Sequence, residues 1–161
     1  MTGRPHLDSP HVMEFMTRNH RVFLFCRDDA ERPIGYAMRS VAYAAATHCL
    51  YFATYTKSAK VRHLRADPDV ACLVLPSEPS DGAAHWVSVR GTADVYRPSA
   101  TEIDAMIDAA SPDSRVPDAV VAKVKDRLLS GKRSLIRLTV DQVRAADLPA
   151  DARVSQDRCD Y

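Results

Sequence analysis

Apolar residues in this chain follow two periods. Short runs rich in β-branched and aromatic residues at 22–26, 34–43, 50–55, 70–75, 85–95 and 135–140 each predict a strand. Helical spacing appears at Val12, Phe15 and Met16 behind the start signal Ser9-Pro10, which predicts a first helix ending near Asn19. Val61 and Leu64 give a second helix over 56–66, stopped by Asp67-Pro68. The Ser99-x-x-Glu102 box opens a third through about Ala110, and Pro117 opens a fourth that Gly131 ends.

The connections fix how these elements join. A polar turn at 27–33 makes the first two strands a hairpin, and only a short alanine-rich link precedes the third. Links this short join antiparallel neighbours, because parallel strands need a crossover of about a dozen residues or more. A mostly antiparallel, six-stranded α+β barrel with inserted and flanking helices is therefore expected. No GxGxxG or P-loop sequence occurs. The 161 residues suit a single domain, 1–161, with 46% hydrophobic and 27% charged residues marking a globular chain.

Charge adds something the pattern does not show. The net charge is +1, too little to hold a polyanion, so neither nucleic acid nor an anionic membrane is expected as a partner. Residues 32–66, however, hold no acid and six cations, Arg32, Arg39, Lys57, Lys60, Arg62 and Arg65, so the rest of the chain sums to −5. That window reads as built for a small anion. The longest apolar run, at 70–75, is far below the ~20 residues of a membrane span. Cys26, Cys49, Cys72 and Cys159 form no CxxC and follow no secretory leader, so reduced thiols and a cytoplasmic protein are expected. The six histidines show no HExxH or paired-ligand spacing, and no GxSxG nucleophile motif occurs. No metal site is expected.

Candidate chemistry concentrates at 50–60, where a strand runs into a loop of hydroxyls and lysines and then a helix. A helix N-terminus offers free N–H groups and partial positive charge, so Thr54, Thr56 and Ser58 with Lys57 and Lys60 form a candidate phosphate cradle without glycines. Arg39, on the neighbouring strand of a three-strand meander, is expected to reach the same anion.

The string Tyr-Phe-Ala-Thr-x-x-x-Ser-x-Lys-x-x-x-Leu-x-x-Asp-Pro at 51–68, with Val-Ser-Val-Arg-Gly-Thr-Ala-Asp-Val at 87–95, resembles the pyridoxamine 5′-phosphate oxidase-like flavin and deazaflavin oxidoreductases. The resemblance spans most of residues 15–100. It implies a split β-barrel that dimerises, with FMN or the deazaflavin F420 in a groove between subunits. Thr54, Ser58 and Lys60 would then hold the cofactor phosphate, and Met38, Arg39, Ser40 and Val41 would line its ribityl chain and ring. Ala53 stands where the oxidase often has an aromatic residue, Ala59 where it has a second basic one, and Trp86 where it has a glutamine facing the flavin, so that Trp86 would instead stack on or flank the ring. Local geometry suggests that Lys57 supplies the charge missing at Ala59. The tail at 153–161 lacks the Arg-x-His substrate signature, so a small organic substrate other than pyridoxamine phosphate is expected.

The same residues also fit plainer roles. Ser58 or Thr56 can serve as a helix cap alone. Arg62 and Arg65 fit an exposed helix face, Arg39 a cross-strand carboxylate pair, and Trp86 the core or a subunit interface. Two other functions use the same chain: a non-catalytic flavin or haem carrier on the same groove, and a nucleic-acid binder on the basic helix. FMN is the simpler match to Thr54, Ser58 and Lys60, whereas F420, with its longer anionic tail, would draw on Lys57, Arg62 and Arg65.

Overall fold

A computed structural model describes residues 7–77, 86–109 and 117–146. Among them run α1 (Pro10–Arg18), β1 (Arg21–Arg27), β2 (Pro33–Ala44), β3 (Cys49–Tyr55), α2 (Ala59–Ala66), β4 (Asp69–Leu75), β5 (Trp86–Tyr96), α3 (Ala100–Ala109), α4 (Asp118–Leu129) and β6 (Arg133–Ala146). The six strands close into a barrel in the order β1-β2-β3-β6-β5-β4, every neighbouring pair antiparallel. This is the expected α+β barrel. Expectations about His85, Ala110, most of the polar loop at 77–83, Cys159 and the tail at 153–161 lie outside the described residues.

Period-two alternation builds the core. Val22, Leu24 and Cys26 of β1 point inward with Val70, Cys72 and Val74 of β4, and Phe52, Ile136 and Leu138 complete the packing from β3 and β6. Each such side chain withdrawn from water contributes about 1.5–3 kcal/mol. Leu135 and Ala42 face the other way and meet Ile103 and Met106 of α3 and Leu128 of α4 in a second, smaller cluster. Ser99 and Glu102 form the reciprocal box read from the sequence: the Ser99 N–H donates to Glu102 Oε2 at 2.7 Å, and the Glu102 N–H to Ser99 Oγ at 3.2 Å. Cys26, Cys49 and Cys72 are free, buried thiols. No helix among the described residues is long and apolar enough to cross a membrane.

Two features of the ladder position the site. First, β2 and β3 pair only from Ser40↔Phe52 to Ala44↔Cys49, with Val41 bulged between Ser40 and Ala42. Before Ser40, β2 pairs with β1 alone, and beyond Phe52, β3 pairs with β6 alone, which leaves a seam between the two strands. Second, α2 joins β3 to β4, which lie on opposite sides of the ring of six. It must cross the barrel mouth, and it buries Val61, His63 and Leu64 in doing so.

Candidate functional site

The cluster forms where the seam meets the start of α2. Thr54 is inward-facing and buried, directly opposite the buried Ser134 of β6. The Lys60 ammonium donates toward Thr54 Oγ1 at 3.5 Å and lies 4.9 Å from the centre of the Tyr36 ring on β2. The backbone of Ser58 is extended (φ −73°, ψ 151°) at the N-cap of α2, but its side chain caps nothing. Its Oγ is buried and has no hydrogen-bond partner among the described residues. The first N–H groups of a helix have no acceptor within the helix, so an uncapped start beside a bare hydroxyl and a lysine is a place for an anion.

Electrostatics point the same way. Burial pushes the Lys60 ammonium below its usual pKa, the nearby Cys26 thiol opposes this, and the Arg133 charge adds to it. Among the described residues no carboxylate pairs with Lys60 or Arg133. Half-burying a cation without a counter-ion carries a cost, and an anion bound at Thr54, Ser58 and Lys60 would offset it.

The remaining expected residues fall in several places. Thr56 is occupied: its hydroxyl donates to the Gly131 carbonyl at 2.8 Å, which leaves it to accept from Ser134 Oγ at 3.0 Å. It ties the start of β6 to the cradle loop. Lys57 is exposed. Met38 packs against the barrel core, Val41 sits in the bulge, and Ala53 joins the outer cluster beside Tyr51. Ser40 turns its hydroxyl to His20 Nδ1, 3.1 Å away. Arg39 is exposed opposite Arg21 of β1, outside the β2–β3 ladder, whereas Thr54 is buried on the inner face. Trp86 begins β5 opposite Ala146, at the far end of the ladder in which Tyr96 pairs with Leu135, on the order of 30 Å of extended chain away. A single chain does not bring it into the cluster.

The basic window also disperses. Arg32 pairs with Asp28 at 3.6 Å, and Arg62 grips Asp29 through two bonds of 2.6 and 3.0 Å, so acids of the β1–β2 turn neutralise them. The neighbours of the cluster, Tyr36 under Lys60 and Arg133 beside Tyr55, are not marked in the sequence. Their signal was weak, because Arg133 reads as part of the turn after Gly131 and Tyr36 as one more strand aromatic.

A six-stranded antiparallel barrel with a seam and a helix across its mouth defines the split-barrel class. The family model for pyridoxamine 5′-phosphate oxidase matches residues 8–147, and the chain belongs to that family. No curated protein matches the chain. Among solved structures, the conserved hypothetical protein Rv2991 from Mycobacterium tuberculosis superposes with a TM-score of 0.64 at 17% identity, over 90% of this chain and 88% of that one. A heme binding protein from Mycobacterium smegmatis gives 0.62 at 20% identity, over 86% of this chain and 54% of that one, so this chain spans about half its length. A structure described as F420 reductase gives 0.54 at 20% identity, over 81% and 93%. At these identities the likeness is one of fold.

Proposed function

We propose that this protein is an oxidoreductase that binds FMN, or the deazaflavin F420, by its phosphate at Thr54, Ser58 and Lys60 and acts on a small organic substrate. The observation that carries the reading is the buried Ser58 Oγ, without a hydrogen-bond partner among the described residues, at the uncapped start of α2 and two residues from the half-buried Lys60. Family membership over residues 8–147 supports it.

The residues fit a phosphate-bearing flavin. Thr54 and Ser58 would give hydroxyl donors, Lys60 an ammonium, and the first turn of α2 its N–H groups. The bound ring would supply the redox chemistry, and the chain's part is to anchor, orient and shield it from water. Met38 and Val41 flank Ser40, where the β2–β3 ladder begins, and would lie along the ribityl chain and ring. FMN fits better than F420, since Arg62, one of three cations available to a longer anionic tail, is held by Asp29. Lys57 and Arg65 remain exposed and keep F420 as the second reading.

The proposal includes a second copy of the chain completing the groove. The outer face of β1 exposes Phe23 and Phe25, and the Phe25 ring lies over Gly35, where a Cβ would come within 2.9 Å of it. Light scattering should give twice the chain mass, and Phe23→Glu with Phe25→Glu should halve it. Titration of the purified protein with FMN, F420 and haemin in turn, followed by absorbance, tests the cofactor. Turnover with an added reductant then separates an enzyme from a carrier.

A further inference from the structure

We propose that Arg133 is a second cation of the anion site and that the group it helps to bind is a dianionic phosphate monoester. The inference rests on the reading of the Thr54, Ser58 and Lys60 cluster given above and extends it to a residue that lies outside the sequence motif.

Four observations set Arg133 beside the loop that carries Ser58. It begins β6 directly opposite Tyr55, the last residue of β3, and its guanidinium lies 4.7 Å from the centre of that ring. Its neighbours are bolted to the cradle loop: the Thr56 N–H donates to the Lys132 carbonyl at 3.2 Å, and the Thr56 hydroxyl bridges Gly131 and Ser134. Its Nε is buried and has no hydrogen-bond partner among the described residues, the same condition as Ser58 Oγ in that loop. Finally, it has no carboxylate partner among the described residues, whereas Arg18, Arg27, Arg32, Arg62 and Arg137 each pair with one.

Charge then selects the ligand class. Two cations and the positive end of α2, with no carboxylate opposing them among the described residues, complement about two negative charges. A phosphate monoester carries roughly −1.5 to −2 near neutral pH, and a phosphodiester carries only −1. FMN ends in a monoester. In F420 the phosphate is a diester.

The test compares FMN with riboflavin, which differs from it only by the phosphate, on the full chain and its variants by fluorescence titration. The wild type is expected to prefer FMN strongly and to bind F420 more weakly than FMN. Arg133→Gln should lower FMN affinity about tenfold or more and leave riboflavin affinity unchanged, and Arg133→Lys should restore part of the preference. Arg133→Met, which keeps the stem on Tyr55, replaces Arg133→Gln if the latter does not fold. An equal loss for FMN and riboflavin would mean that Arg133 acts through packing, and would overturn the proposal. If Lys60→Ala lowers the FMN-to-riboflavin ratio and Arg133→Gln does not, the phosphate site stands and Arg133 is excluded. F420 binding as tight as FMN would overturn the monoester assignment. A wild type that does not distinguish FMN from riboflavin would overturn both this proposal and the site it rests on.

Discussion

The phenol oxygen of Tyr36 lies 3.0 Å from Nδ1 of His63, and the other ring nitrogen of His63 lies 3.5 Å from Asp29 Oδ2. A carboxylate only accepts, so Nε2 carries the proton toward Asp29 and Nδ1 accepts from the phenol. One imidazole thus joins the β1–β2 turn, strand β2 and the helix across the barrel mouth. Tyr36→Phe leaves a buried acceptor bare and should cost about 1–3 kcal/mol of stability. The ring that Lys60 covers is retained, so cofactor affinity should not change. Urea unfolding beside a binding titration checks both halves, and a loss of affinity at unchanged stability would place Tyr36 in the cofactor site instead.

Lys60→Ala removes the ammonium beside Thr54. A charge-assisted hydrogen bond is worth about 1.5–3 kcal/mol, so affinity for the phosphate-bearing cofactor should fall about 10- to 100-fold. The fold should survive, since Lys60 makes no ion pair among the described residues, and circular dichroism checks this. Unchanged affinity would refute the assigned phosphate site.

His20 predicts a pH dependence. Burial, with the Arg39 charge adding to it, pushes its pKa below 6.5, and its Nε2 is buried without a partner. With the folded pKa lowered, the unfolded chain takes up the proton first on acidification. The stability contributed by neutral His20 is therefore complete above pH 6.5 and is lost as pH falls through the folded value. The carboxylates whose pKa values are lowered, Asp28, Asp29 and Glu102, act only in more acid solution. His20→Asn should remove part of the loss in urea midpoint below pH 6.5. An unaltered pH profile would exclude His20 as its source.

Gly91 sits at the β5–β6 register shift, and a Cβ there would lie 2.0 Å from the Thr139 carbonyl oxygen. Backbone on a paired strand has little room to yield. Gly91→Ala should cost about 4 kcal/mol or more, visible as a collapsed melting temperature or insoluble chain. A variant that melts with the wild type would mean that the bulge relaxes freely.

The strands that show one apolar face were legible because alternation marks burial directly, as at Val22, Leu24 and Cys26. β6 was only half legible. Its second half alternates Val143 and Ala145 with Asp141, Gln142 and Arg144, a weak apolar signal, and its start carries two polar residues, Ser134 on the inner face opposite Thr54 and Arg133 opposite Tyr55. Helix α2 begins at Ala59 rather than Thr56 because the Thr56 hydroxyl bonds away to β6 and Ser58 stays extended as the N-cap. The loop that carries Thr54, Thr56, Lys57, Ser58 and Lys60 is legible, since one strand end and one helix turn hold all five, whereas the choice of Thr54, Ser58 and Lys60 among them rests on the family resemblance. Arg39 could not be placed, because nothing in its own segment shows that the β2–β3 ladder stops at Ser40. The neutralisation of Arg32 and Arg62 depends on a turn folding back, which a count of charges along the chain does not register.

The central claim is that the cluster at Thr54, Ser58 and Lys60 anchors the phosphate of a flavin or deazaflavin. Absorbance titration of the purified protein with FMN, F420 and haemin tests it most directly. The account predicts a saturable shift of the flavin band, or failing that the deazaflavin band, that Lys60→Ala weakens. A Soret shift with haemin alone, or no shift with FMN and F420, would contradict it.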